Sequence, residues 1–185
     1  MFKKLLSITF IALFFTSNIF ASDRVNMSMQ LYGTASGYES YVPDIDGDGN
    51  DDPAVCFDLE VRDINTGLRI GDGTDCLSNI TPVGDGLQVI ATTYFKLPSG
   101  TLVSRGTTTV QPTTGGSPSF THITGAVPDS GVNNVLSGTG AFKRAKGRVR
   151  LSGAVNLSQE GIISFDCLFI ADISKSKNSK RGHKD

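Results

Sequence analysis

Residues 135–153 read VLSGTGAFKRAKGRVRLSG, and this stretch decides the fold because a glycine-rich corner runs straight into an alternating strand with no helix between. Gly138 and Gly140 accept positive φ at no steric cost, Phe142 supplies one buried anchor, and Gly147 releases the chain into the strand. Along it Val149, Leu151, Gly153 and Val155 alternate with Arg148, Arg150, Ser152 and Asn156, so one face is apolar and the other polar. A phosphate loop would open a helix at this point. This segment opens a β-strand, and it reads as the corner of a barrel.

The remaining chain has the same character. It is rich in Gly, Thr, Ser and Val and carries no sustained 3.6-residue apolar pattern, which points to an all-β domain. Strands are expected at 25–32, 54–64, 68–78, 87–97, 102–110, 120–127, 148–157 and 162–173, with a shorter one at 134–137. Between them lie turn clusters: Asn65-Thr66-Gly67, Gly84-Asp85-Gly86, Pro98-Ser99-Gly100, Thr114-Gly115-Gly116 and Gln159-Glu160-Gly161. Short strands at this spacing define a sandwich or a barrel.

The corner GTGAFKRAKG, together with TGLRIGDGTDCLS and TTVQP, resembles the G-G-T-G-x-F-x-x-A-x-G corner of the allene oxide cyclase and dirigent barrels, in a bacterial secreted branch. The resemblance spans about 27–173, nearly the whole chain after its leader. It implies a single closed antiparallel barrel of about eight strands, an apolar lumen, assembly into homo-oligomers, and chemistry done by holding a reactive guest in one shape. It assigns no catalytic residue here. The acidic insert before Ala54 and the two cysteines of the second hairpin depart from the plant members of that family.

At the N-terminus Lys3 and Lys4, an apolar run over 5–15 and the exit Asn18-Ile19-Phe20-Ala21 read as an export leader, residues 1–21, cleaved after Ala21. The run falls short of the roughly 20 residues that cross a bilayer, so no membrane span is expected. The barrel domain then covers 22–174, and 175–185 form a basic, polar tail expected to lack structure. Without the leader's two lysines, 15 basic side chains stand against 18 acidic ones, and five of the basic ones lie in that tail. An acidic body excludes nucleic acid as the main partner. The expected compartment is the periplasm or the medium. Sequons at Asn26, Asn79 and Asn156 matter only if the source glycosylates.

The sharpest local motif is DIDGDGNDD at 44–52. Carboxylates at Asp44, Asp46, Asp48 and Asp52, a glycine at the sixth place and the Asn50 carbonyl at the seventh match the oxygen cage that Ca²⁺ prefers. Val55 stands where a bidentate glutamate would close an EF-hand, and Pro43 and Pro53 exclude the flanking helices. The expectation is a structural Ca²⁺ loop between strands; the alternative is a solvated acidic loop.

Three cysteines in an exported chain leave one unpaired if a single bridge forms. With Ile64 facing Leu68 across the turn, a regular hairpin places Cys56 opposite Cys76, and also Glu60 opposite Asp72, a like-charge pair that a bulge at Gly71 or Gly73 would relieve. Cys76 with Cys167 is the competing bridge. Cys167 shares strand parity with Phe165 and Phe169 and reads as a small buried hydrophobe.

Nucleophilic catalysis finds no support: only His122 and His183 are histidines, and no serine sits in a G-x-S-x-G elbow. His122 reads as a surface or satisfied residue. Asp58, Glu60 and Asp166 lie on strands whose apolar residues have the opposite parity, so they should face solvent. Inward positions expected around a lumen are Leu59, Val89, Phe95, Val149, Leu151 and Phe165. The leading function is a barrel binding one small apolar or amphipathic molecule. The alternatives are a cyclase or isomerase acting by confinement, and a structural protein with a filled lumen.

Overall fold

The computed structural model describes residues 24–113 and 121–175. The leader, the tail beyond Lys175 and the turn at Thr114-Gly115-Gly116 lie outside the described residues. Ten strands form one antiparallel sheet: β1 (Arg24–Ser36), β2 (Tyr38–Val42), β3 (Asp52–Asp63), β4 (Arg69–Val83), β5 (Gly86–Leu97), β6 (Gly100–Pro112), β7 (Thr121–Ala126), β8 (Val135–Gly138), β9 (Ala145–Gln159) and β10 (Ile162–Lys175). Among the described residues one 3₁₀ turn is present, Gly140–Phe142, just before β9.

The sheet follows the order β1-β10-β9-β7-β6-β5-β4-β3-β2, and β1 also pairs with β3. Eight strands therefore hydrogen-bond in a ring, giving a barrel-like molecule. The two extra strands have simple origins. β2 continues β1 along the same partner: Tyr32 lies opposite Glu60 and Tyr38 opposite Cys56, so six steps on one side match four on the other and the chain bends between them. β8 shares a slot with β7, β7 pairing with the far end of β6 and β8 with its beginning. Just before β8 begins, Asn134 completes the seam. Its Nδ2 donates to the Val149 carbonyl at 2.9 Å and its Oδ1 accepts the Val149 amide at 2.7 Å, while Asn133 Oδ1 takes the Gly147 amide.

The corner follows its sequence in part, since Gly140 and Gly147 take positive φ whereas Gly138 does not and is a glycine for want of space. Gly140 sits at φ +53° against the Ser99 carbonyl, and a side chain at Gly138 would strike the carbonyl of Phe142. Thr139 exchanges hydrogen bonds with Thr101, and the Ala141 amide donates to the Ser99 carbonyl at 2.7 Å. The corner is thus strapped onto the β5–β6 turn, and Phe142, 3% exposed, enters a core shared with Phe95, Leu102, Val149 and Ile173. That end of the ring is filled.

The β3–β4 hairpin reaches the expected register by a different route. The turn closes on Asp63 and Leu68, not Ile64 and Leu68, with the Asp63 carboxylate accepting the amides of Asn65 and Thr66. Ile70 is then an extra residue, since Val61 faces Gly71 but Arg62 faces Arg69. The one-residue differences cancel, and Cys56 pairs with Cys76 as expected, in a disulfide. Glu60 does face Asp72, and the bulge beside Gly71 is not what relieves them. Arg62 donates to Glu60 at 2.8 Å, and Arg69 bridges Asp72 and Glu60. The competing Cys76–Cys167 bridge is ruled out because Cys167 is free and on the inner face. Among the described residues no helix is long and apolar enough to cross a membrane.

Candidate functional site

Strand alternation splits the ring into two faces with different fates. On the outer side the Cys56–Cys76 bridge is buried with Val42 and Ala54 in a small satellite cluster, against which Ile45 and Tyr94 pack. Arg105 ties the loop between β2 and β3 over this cluster. Its Nε donates to Thr92 Oγ1 at 2.9 Å, Nη1 to the Asp44 carbonyl at 2.9 Å and Nη2 to the Pro43 carbonyl.

That loop carries the proposed metal ligands. One oxygen from each of Asp44, Asp46 and Asp48 lies within 4.8 Å of the others, and all three residues are exposed. Oxygens bound to a common Ca²⁺ at about 2.4 Å can be no more than about 4.8 Å apart, so this all-oxygen triad has a fitting span. The Asp44 carboxylate also accepts the amides of Gly47 and Gly49, which hold its pKa below the ordinary value. Of the five expected ligands, Asp52 is drawn elsewhere, its carboxylate accepting the Ile45 amide. Asn50 donates its amide to Asp48 at 2.8 Å.

The inner face holds an apolar cavity of about 190 Å³ between the filled end and a mouth marked by Val55 and Ile80, which are 39% and 50% exposed. Aliphatic and aromatic side chains make its wall, Val89, Leu151, Val155 and Phe165 among them. Three of the expected inward residues, Val89, Leu151 and Phe165, do line it; Leu59, Phe95 and Val149 are buried but lie outside its lining. Its floor is Phe169, whose ring meets Phe95 edge-on with centroids 5.0 Å apart.

One carboxyl breaks this surface. Asp75 on β4 points inward, is 5% exposed and lines the cavity. Thr93 Oγ1 donates to its Oδ1 at 2.7 Å. Burial pushes the Asp75 pKa up to about 6, against the lowering effect of that hydrogen bond. Cys167 lines the same cavity, and burial followed by the nearby Asp75 charge pushes its thiol up to about 12. It therefore stays a thiol and is no nucleophile at neutral pH. Thr108 and Thr124 add hydroxyls to the wall. His122 is half-buried and shares the face of Thr124 on β7, opposite Val155.

The other acids lie where parity puts them. Asp58 is exposed and accepts from Tyr38 and Thr74, Glu60 is held by its arginines, and exposed Asp166 accepts from Gln30 at 2.6 Å. Asp75 escaped the sequence reading although its signal was present. With Cys56 opposite Cys76 on one face, the pair Phe57 and Asp75 must share the other.

No protein-family model matches the chain, and no curated protein matches it in sequence. Among solved structures, one titled "Pyocyanin demethylase" aligns with a TM-score of 0.43 at 11% identity, covering 81% of this chain and all of that one. Nothing about this chain's chemistry follows from a likeness at that level.

Proposed function

We propose that this chain is an exported closed barrel of the allene oxide cyclase type that takes one compact, largely apolar guest into its lumen, with the guest's polar group held by the Thr108 and Thr124 hydroxyls and Asp75 as the acid beside it. The observation that carries this reading is a single buried carboxyl in a cavity otherwise walled by hydrocarbon, hydroxyl and thiol groups. Native interiors are close-packed, so an open apolar space with one convergent polar group favours a binding site over a filled structural lumen. Its size selects the guest. A cavity of about 150 Å³ holds benzene, so about 190 Å³ suits one ring with a short substituent. The corner at Gly138 and Gly140 supports the barrel assignment, while the leader and the disulfide support export to an oxidising compartment.

The test is a thermal and NMR titration with toluene, phenol and cyclohexanone. A guest at about 100 times its Kd stabilises by roughly 2.7 kcal/mol, so Tm should rise by several degrees. Val89→Phe, which fills the cavity, should remove the response while the chain stays folded. If none of the three probes moves Tm or the resonances of wall methyl groups, the structural reading replaces this one.

The loop over 44–52 is proposed to hold one Ca²⁺ in a structural role, with Asp44, Asp46 and Asp48 as its core ligands. Support comes from the fitting span of their oxygens and from the Arg105 clamp, which fixes the loop against the sheet. The ion would neutralise three clustered charges and stiffen the loop; it supplies no reaction step. Tm should therefore rise on adding Ca²⁺ and fall with chelator, and Asp46→Ala should abolish that response without unfolding the strands. An unchanged Tm in both conditions makes the loop merely acidic.

A further inference from the structure

We propose that the lumen is catalytic, with Asp75 moving a proton between two carbons of a one-ring unsaturated ketone; this rests on the binding reading above. The geometry carries the argument. Binding a neutral apolar guest needs only a hydroxyl or amide for orientation, and Thr108 and Thr124 already supply hydroxyls to this wall. A carboxyl there is costly unless it is used, because burial penalises its charge and no Lys, Arg or His among the described lining residues pairs with it. What a buried carboxyl adds is the capacity to take a proton from carbon and give it back in a space that excludes water.

The step balances without a co-reactant. In a β,γ-unsaturated ketone, the ionised Asp75 removes a proton from the carbon between the carbonyl and the double bond. The C–H electron pair moves into the ring and charge collects on the carbonyl oxygen, where Thr108 and Thr124 are the available hydroxyl donors. The protonated Asp75 then returns the proton to the γ-carbon, the double bond shifts into conjugation, and the carboxylate is restored. Thr93 acts as a positioning residue, fixing the carboxyl by its hydrogen bond. Cys167 is the other titratable side chain of the described lining and stays neutral, and His122 on β7, opposite Val155, is not part of that lining. With the Asp75 pKa raised to about 6, the base form is nearly complete at neutral pH while remaining basic enough to act.

The purified chain is tested with 3-cyclohexen-1-one, following the ultraviolet absorbance of the conjugated product and deuterium uptake by NMR in D₂O. The expected rate exceeds that of equimolar acetate, rises with pH and levels off above about 6. Asp75→Asn should lose about 100-fold or more of that rate. It should still bind cyclohexanone, and Asp166→Asn, which removes an exposed carboxyl outside the cavity, should keep the rate within a few-fold. If cyclohexanone binds but the unmodified chain is no faster than acetate, or its rate is flat between about pH 4 and 8, or Asp75→Asn is as fast as the parent, the catalytic inference falls and the binding reading stands. If cyclohexanone does not bind the unmodified chain, the binding reading falls and takes the inference with it.

Discussion

Phe142→Ala should lower the free energy of unfolding by about 3–5 kcal/mol, the usual cost of removing a buried aromatic side chain. The ring is almost fully enclosed, and its surroundings are poorly able to collapse onto the space it leaves. Gly138 already presses against the Phe142 backbone, and the neighbouring residues are strapped to Ser99 and Thr101 by hydrogen bonds. Urea unfolding with a constant m-value should report the loss as a shift in midpoint. A change under about 1 kcal/mol would mean that the corner is ornamental and that the other core residues alone close that end. Leu136→Ala, at an exposed position on the neighbouring strand, is the control and should change little.

A second large effect concerns pH. The Asp75 carboxyl has its pKa raised from 3.8 to about 6 on folding, so between those values the native chain holds more of this proton than the unfolded chain does. Stability from this group is accordingly greatest below about pH 4, declines as pH rises through 4 to 6, and is lower by about 3 kcal/mol above that window. Asp75→Asn cannot ionise and should escape the decline. At pH 8 it should unfold at a higher urea concentration than the parent, and the difference should vanish near pH 4. Asp44 and Asp63, whose pKa values are lowered by backbone and side-chain donors, give the opposite slope in both proteins and cancel from the comparison. A parent and variant that keep a constant difference from pH 4 to 8 would show that Asp75 is solvated in solution.

The fold was largely legible because its punctuation is local. Turn clusters at Asn65-Thr66-Gly67 and Gln159-Glu160-Gly161 and the glycines of the corner mark strand ends by backbone chemistry that tertiary contacts do not override. β2 was not legible, since YESYV has no apolar alternation and becomes a strand only because β3 offers it an edge. The hairpin register came out right through two cancelling differences, the turn closing at Asp63 and the bulge at Ile70. The carboxylate triad could be read from spacing because Asp44, Asp46 and Asp48 share one loop, whereas the hydrogen bond from the Ile45 amide to Asp52 leaves no mark in the sequence. Asp75 was missed because GDGTDC carries no hydrophobic pattern of its own, so its face follows only from the pairing of Cys56 with Cys76, a step the reading did not take. The cavity itself depends on which inward residues fall short of filling the ring, and that is decided among side chains from seven strands rather than along any one of them.

The disulfide on the outer wall has a consequence for the cavity behind it. Cys76 is the immediate neighbour of Asp75, and the bridge can form only when Cys56 and Cys76 lie on the same face of β3 and β4. A hairpin slipped by one residue would turn the two sulfurs to opposite sides and would put a carboxylate outside where a cavity needs it inside. The covalent bond is thus compatible with only the register that turns Asp75 inward, so one crosslink on the outer wall fixes the furnishing of the inner one.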